Sequence, residues 1–67
     1  MRLLVNGETT EAPDGESLQG LLARLGIDPR RVAVEHNLAI VPKDRYAGTV
    51  LAEGDRLEIV HFVGGGS

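Results

Sequence analysis

The chain has no cysteine and no tryptophan, and it holds one tyrosine and one phenylalanine among 67 residues. Without a thiol there is no disulfide, no thiolate metal site and no cysteine nucleophile. With so few rings, the aromatic platforms on which single-stranded nucleic acid stacks are nearly missing. Positive charge is also scarce. Seven Lys and Arg stand against ten Asp and Glu, for a net charge of −3. A protein that grips phosphate backbones is basic, so nucleic acid is not an expected partner. Long apolar runs are missing as well. No stretch reaches a membrane span and no signal peptide is recognisable, so no membrane association and a cytoplasmic location are expected. A chain of this length allows one domain, with a stability of about a few kcal/mol. It leaves little room for a deep substrate cleft, which favours a module that works with a partner over a self-sufficient enzyme. The mild acidity suits docking onto a basic protein surface.

What is present reads as alternating short strands around one amphipathic helix. "RLLVNGETTEA" predicts a hairpin, with strands Arg2 to Val5 and Thr9 to Ala12. Asn6 and Gly7 both tolerate the positive φ that a tight type I′ turn requires. "PDGES" breaks the chain, and Ser17 is a good N-cap for a helix from Leu18 to Leu25. Leu18, Leu21, Leu22 and Leu25 recur at helical spacing and form one apolar stripe. Gly20 is a flaw in that helix, costing about 1 kcal/mol relative to alanine. Gly26 sits where a left-handed C-terminal residue belongs, and Pro29 prevents resumption.

"RRVAVEHN" predicts the third strand, with the valine face inward, and "LAIVP" a short edge strand, because Pro42 cannot donate to a ladder. "KDRYAGT" is polar and irregular, with room for one helical turn. "RLEIVHFV" predicts the last strand, with Leu57 and Ile59 on one face and Glu58, Val60 and Phe62 on the other. The order predicts an α+β roll: one main helix over one face of a mixed sheet of four to five strands, with the first and last strands adjacent at its centre. Residues 1–63 are the folded domain and 64–67 a flexible glycine-rich tail. On this reading Leu4, Val60 and Phe62 lie on the sheet face that the helix leaves uncovered, an apolar patch suited to partner docking.

Few residues carry chemistry. His36 and His61 are the only histidines, and nothing around them has metal-ligand spacing, so a surface or strand-edge role is expected rather than catalysis, and no metal site. Arg30-Arg31 reads as a solvated pair. Glu53, Asp55 and Glu58 form an acidic cluster around the final turn, either simply solvated or used in partner recognition. "GGGS" at the end has two readings. It is a flexible linker or expression remnant, or it is a working tail. Glycine has no Cβ, so such a backbone passes through a channel too narrow for side chains. A terminal carboxylate stays ionised at neutral pH and can attack an activated phosphorus. Since no cysteine can carry a persulfide, sulfur would have to sit on that terminal carbonyl. A phosphate-binding loop is a poor third reading, because neither a following helix nor a lysine completes it.

These pieces together resemble the ThiS/MoaD family of ubiquitin-like sulfur carriers. The resemblance spans essentially the whole chain and rests on "LLVNGE", "SLQGLLARLGI", "VAVEHNLAIVP", "LAEGDRLEIVHFV" and the glycine end. The molybdopterin-synthase carrier and the eukaryotic carrier Urm share a similar order, but "VNGE" and "AIVP" fit the thiamine branch better. The resemblance implies a β-grasp fold and a protein cosubstrate rather than an enzyme. A ThiF-like adenylyltransferase, using ATP and magnesium, would activate the carboxyl of Gly66, with Gly64 and Gly65 as the segment threaded into its channel. A sulfur donor protein would convert it to a thiocarboxylate, and thiazole synthase (ThiG) would take the sulfur. The carrier itself would bind no cofactor and be a monomer alone. Ser67 departs from the family pattern, whose reactive form ends in glycine. The alternative outside carrier chemistry is a non-covalent ubiquitin-like interaction module with "GGGS" as linker.

Overall fold

The computed structural model describes residues 1–62; the predicted tail, Gly64 to Ser67, lies outside the described residues. Five strands, one α-helix and two 3₁₀ turns follow in the order β1 (Arg2–Val5), β2 (Glu8–Glu11), α1 (Leu18–Arg24), a turn at Pro29–Arg31, β3 (Val32–His36), β4 (Ala39–Val41), a turn at Lys43–Arg45, and β5 (Arg56–His61). The sheet order is β2-β1-β5-β3-β4. β5 runs parallel to β1 and antiparallel to β3, while both hairpins are antiparallel. This is the expected mixed sheet with first and last strands adjacent, and β4 is the expected short edge strand.

Turn chemistry explains most boundaries. Asn6 (φ 51°) and Gly7 (φ 82°) form a two-residue turn, which puts Val5 opposite Glu8. A loop of two residues leaves no slack, so β2 begins one residue earlier than expected. Pro29 at the first position and Asp28 as N-cap, accepting from the Arg30 amide at 2.9 Å, nucleate a 3₁₀ turn. That turn removes Arg30 and Arg31 from the predicted third strand. Ser17 caps α1 by accepting from the Gly20 amide at 3.0 Å. A Cβ on residue 20 would meet Glu16 Cγ at 3.1 Å and Ser17 Oγ at 3.4 Å. The glycine therefore leaves space for Glu16, which folds back to pair with Arg24 at 3.1 Å.

The core is one cluster: Leu3, Ala12, Leu18, Leu21, Leu22, Val32, Val34, Tyr46, Leu51, Leu57 and Ile59. Leu25 is not in it. As the C-cap of a seven-residue helix it is 40% exposed, and the inward stripe ends with Leu22. Tyr46 joins the core from a segment that reads as polar. The 3₁₀ turn at Lys43–Arg45 swings this ring inward until it is 2% exposed, and burial pushes its phenol above the usual range.

Beside the core, Asp55 ties the last turn to the β3–β4 hairpin. Its Oδ2 lies 2.7 Å from His36 Nε2 and accepts from the Ala52 amide at 2.9 Å, while Oδ1 accepts from Asn37 Nδ2 at 3.1 Å. Burial alone would raise this carboxyl. The hydrogen bonds from His36, Asn37 and Ala52 outweigh it and hold the group below the usual carboxylate range. A lowered folded pKa stabilises the fold above the unfolded carboxyl's value, and that contribution is lost as pH falls through the folded one.

Two expectations follow. Leu21→Ala should cost about 2–5 kcal/mol, enough to unfold much of so small a domain, whereas Leu25→Ala should cost under about 1 kcal/mol; urea titration followed by circular dichroism measures both. Asp55→Asn should cost about 1–2 kcal/mol at neutral pH, and the difference from the unsubstituted chain should shrink when the same titration is run near pH 3.

Candidate functional site

On the outer face of the sheet, alternation and register decide which side chains meet. Leu4 pairs across to Thr9 on one side and Arg56 on the other. Two residues further along β5, Glu58 lies opposite Glu35, which in turn lies opposite Ile40. Two further again, Val60 lies opposite Ala33. Phe62 continues that alternation and is held by its amide, which donates to the Arg31 carbonyl at 3.0 Å. Val60 is 60% and Phe62 56% exposed, and Leu4 is at the margin of exposure.

The three predicted docking residues are thus all solvent-accessible, but they do not form one patch. Val60 and Phe62 cluster with Ala33 at the end where β5 finishes. Leu4 lies toward the start of β5, separated from them by the row Glu58–Glu35–Ile40. Like charges directly opposite each other on a sheet are unfavourable, and neither glutamate has an ion-pair partner among the described residues. Ile40, at 74% exposed, and Ala33 belong to this face and were not singled out in the sequence. Ala33 is visible only through its register opposite Val60. Ile40 lies on a three-residue edge strand too short for alternation to assign a face.

The other charged features resolve into structural roles. Asp55 leaves the expected acidic cluster, because its carboxylate is turned in toward His36 and Asn37. Glu53 is also spoken for, accepting from the Arg2 amide at 2.7 Å. Only Glu58 of the three faces the open sheet surface. Arg30 and Arg31 remain exposed, and both pair with Asp28, at 3.1 and 3.6 Å. The hydrogen bonds from Arg30 hold the Asp28 carboxyl at about 2. His36, at the end of β3, is part-buried and pairs with Asp55.

Among the described residues no three His, Cys, Asp or Glu side chains are grouped to hold a metal ion, and no helix is long and apolar enough to cross a membrane. A depression of about 270 Å³, lined by Asn37, Leu38, Gly54 and Arg56, opens beside the Asp55 contacts. It contains no acid–base pair or nucleophile. The assigned reacting and threading residues, Gly66, Gly64 and Gly65, fall outside the described residues.

Comparison with known proteins agrees with this architecture. The chain is 51% identical over its full length to a thiazole synthase of Paramagnetospirillum magneticum, but it spans only 21% of that relative's length. It is 42% identical over 65 residues to the sulfur carrier protein ThiS of Bacillus subtilis, covering 96% of this chain and 98% of the relative. The crystal structure of the thiamine biosynthesis protein ThiS from Geobacter metallireducens superimposes with a TM-score of 0.85 at 29% identity, covering 98% of this chain and all of that one. This extends the β-grasp likeness from sequence pattern to fold. The sequence model of the ThiS family matches residues 2–66, and on these grounds the chain belongs to the ThiS family.

Proposed function

We propose that this protein is a sulfur carrier of thiamine biosynthesis whose reactive group is the carboxyl of Gly66. The observation that carries the reading is that the family match runs through residue 66 and so takes in all three tail glycines. In the proposed cycle, a carboxylate oxygen of Gly66 attacks the α-phosphorus of ATP on a ThiF-like adenylyltransferase, and pyrophosphate leaves. Magnesium and ATP belong to that enzyme. The terminal sulfur of a donor-protein persulfide then attacks the acyl carbon and AMP departs, leaving an acyl disulfide. A cysteine thiol of the partner enzymes attacks the donor-side sulfur, so that a disulfide forms between that thiol and the donor and the thiocarboxylate is released. Thiazole synthase takes the sulfur from it. The chain is cosubstrate throughout, acting as a cytoplasmic monomer. The match to a relative named thiazole synthase supports that enzyme as the recipient.

The outer sheet face is the proposed docking surface. Val60 and Phe62 give it an apolar anchor next to the tail, and the facing Glu35 and Glu58 call for a basic side chain on the partner. Gly64 and Gly65 carry the backbone through a channel that side chains would block. For this chemistry the chain must end at Gly66, since Ser67 converts the reacting carboxyl to a peptide.

One observation favours a second reading. In the Paramagnetospirillum relative the matching region makes up a fifth of a much longer chain, so a ThiS-like domain occurs joined to other sequence, where glycines would serve as a linker. In that case removing Gly64 to Ser67 leaves partner binding intact and no charging is ever seen.

The two separate by intact mass. Incubated with adenylyltransferase, ATP, magnesium and a sulfur source, the chain ending at Gly66 should exchange the mass of one oxygen for one sulfur, and the chain keeping Ser67 should not. No exchange under conditions that charge a known carrier would overturn the carrier reading. For docking, Val60→Asp should weaken adenylyltransferase binding about tenfold or more with little change in melting temperature, measured by titration calorimetry.

A further inference from the structure

Lys43 has no part in the readings above. It opens the 3₁₀ turn after β4, yet its side chain reaches back over the sheet. Nζ donates to the Val32 carbonyl at 2.7 Å and lies 5.1 Å from the centre of the Phe62 ring. Val32 begins β3 and pairs with His61, the last residue of β5. One ammonium therefore joins the loop after β4, the start of β3 and the end of β5.

That end of β5 is weakly held by backbone alone. β1 does not extend this far: its last contact is the Asn6 side chain at Ile59. Among the described residues Phe62 makes one backbone bond, to Arg31. The residue is more than half exposed. A cation over the ring face supplies the missing restraint, because the quadrupole of the ring attracts it. The nearby cations Arg30 and Arg31 are engaged by Asp28 instead. Anchoring of Nζ to a strand carbonyl matters too. It fixes the cation to the sheet, so the ring is positioned relative to the sheet rather than to a mobile side chain.

We propose that Lys43 is a positioning residue that clamps Phe62, the last described residue, relative to the sheet and thereby sets how this end of the outer face is presented to a partner enzyme. Its effect on charging rests on the carrier reading; its effect on Phe62 does not. Lys43 is exposed, so its replacement should leave the fold intact.

The test compares Lys43→Met, which keeps the stem and removes the donors and charge, with Lys43→Arg, which keeps a cation. Amide hydrogen exchange by NMR is read on the full chain, and adenylation kinetics on the chain ending at Gly66. Lys43→Met should leave the melting temperature close to that of the unsubstituted chain. It should speed exchange of the Phe62 amide and raise KM for the carrier, each about three- to tenfold, with kcat unchanged. Lys43→Arg should restore most of both. Unchanged exchange at Phe62 in Lys43→Met overturns the clamp, whatever happens to KM, since a KM effect alone would mean direct contact with the partner. Faster exchange with unchanged KM overturns the positioning role. If the unsubstituted chain is never adenylated, the carrier reading falls, and exchange at Phe62 still decides the clamp.

Discussion

Everything in this fold depends on β5 being hydrogen-bonded along both edges. It is the central strand, and both neighbours are shorter than it is. Each neighbour ends in an asparagine with φ 51°, and each asparagine spends its side-chain amide on the backbone of β5. Asn6 accepts from the Ile59 amide at 2.7 Å and donates to the Ile59 carbonyl at 3.1 Å, in place of the two bonds a further strand residue would make. Asn37 accepts from the Arg56 amide at 2.9 Å through its side-chain Oδ1, while its backbone amide donates to the Arg56 carbonyl at 2.8 Å. Buried backbone groups left unpaired cost heavily. The two turn asparagines thus let both hairpins reverse early while β5 runs on toward the tail.

That construction places the proposed functions on different parts of one strand. The inward residues, Leu57 and Ile59, carry the core. The outward residues, Glu58 and Val60, lie on the proposed docking face. The last described residue, Phe62, is held by Arg31 and Lys43. A carrier reading needs a rigid handle and a thin delivery segment, and rigidity up to His61 comes from the sheet pairing that stabilises the domain.

The elements were legible in the sequence where local chemistry acts alone. Asn6-Gly7, Ser17 and Gly26 mark turns and caps through their own backbone preferences, and each is used as expected. The inward face of β5 followed from alternation, with Leu57 and Ile59 inside, whereas the two faces of β3 differ little in polarity and only the packing decided for Val32 and Val34. Leu25 and Tyr46 went the other way because burial is decided by what lies across from a residue. The helix ends before Leu25 can face the sheet, and a 3₁₀ turn in a polar segment delivers Tyr46 into the core beside the start of the helix. Of the site, Leu4, Val60 and Phe62 were legible by period two. Their division into two groups by Glu35 and Glu58 was not, since it depends on register between strands far apart in the chain.

The amino-acid sequence alone determined the element order, the glycine tail and the family likeness, because turn preference, helical spacing and motif order are properties of neighbouring residues. Only the tertiary structure decided that Asp55 belongs to His36 and Asn37 rather than to an acidic surface cluster, that two glutamates face each other on the outer sheet, and that Lys43 lies over Phe62. Each is a contact between residues eleven or more positions apart. No local preference encodes such contacts, because they exist only once the sheet has set its register.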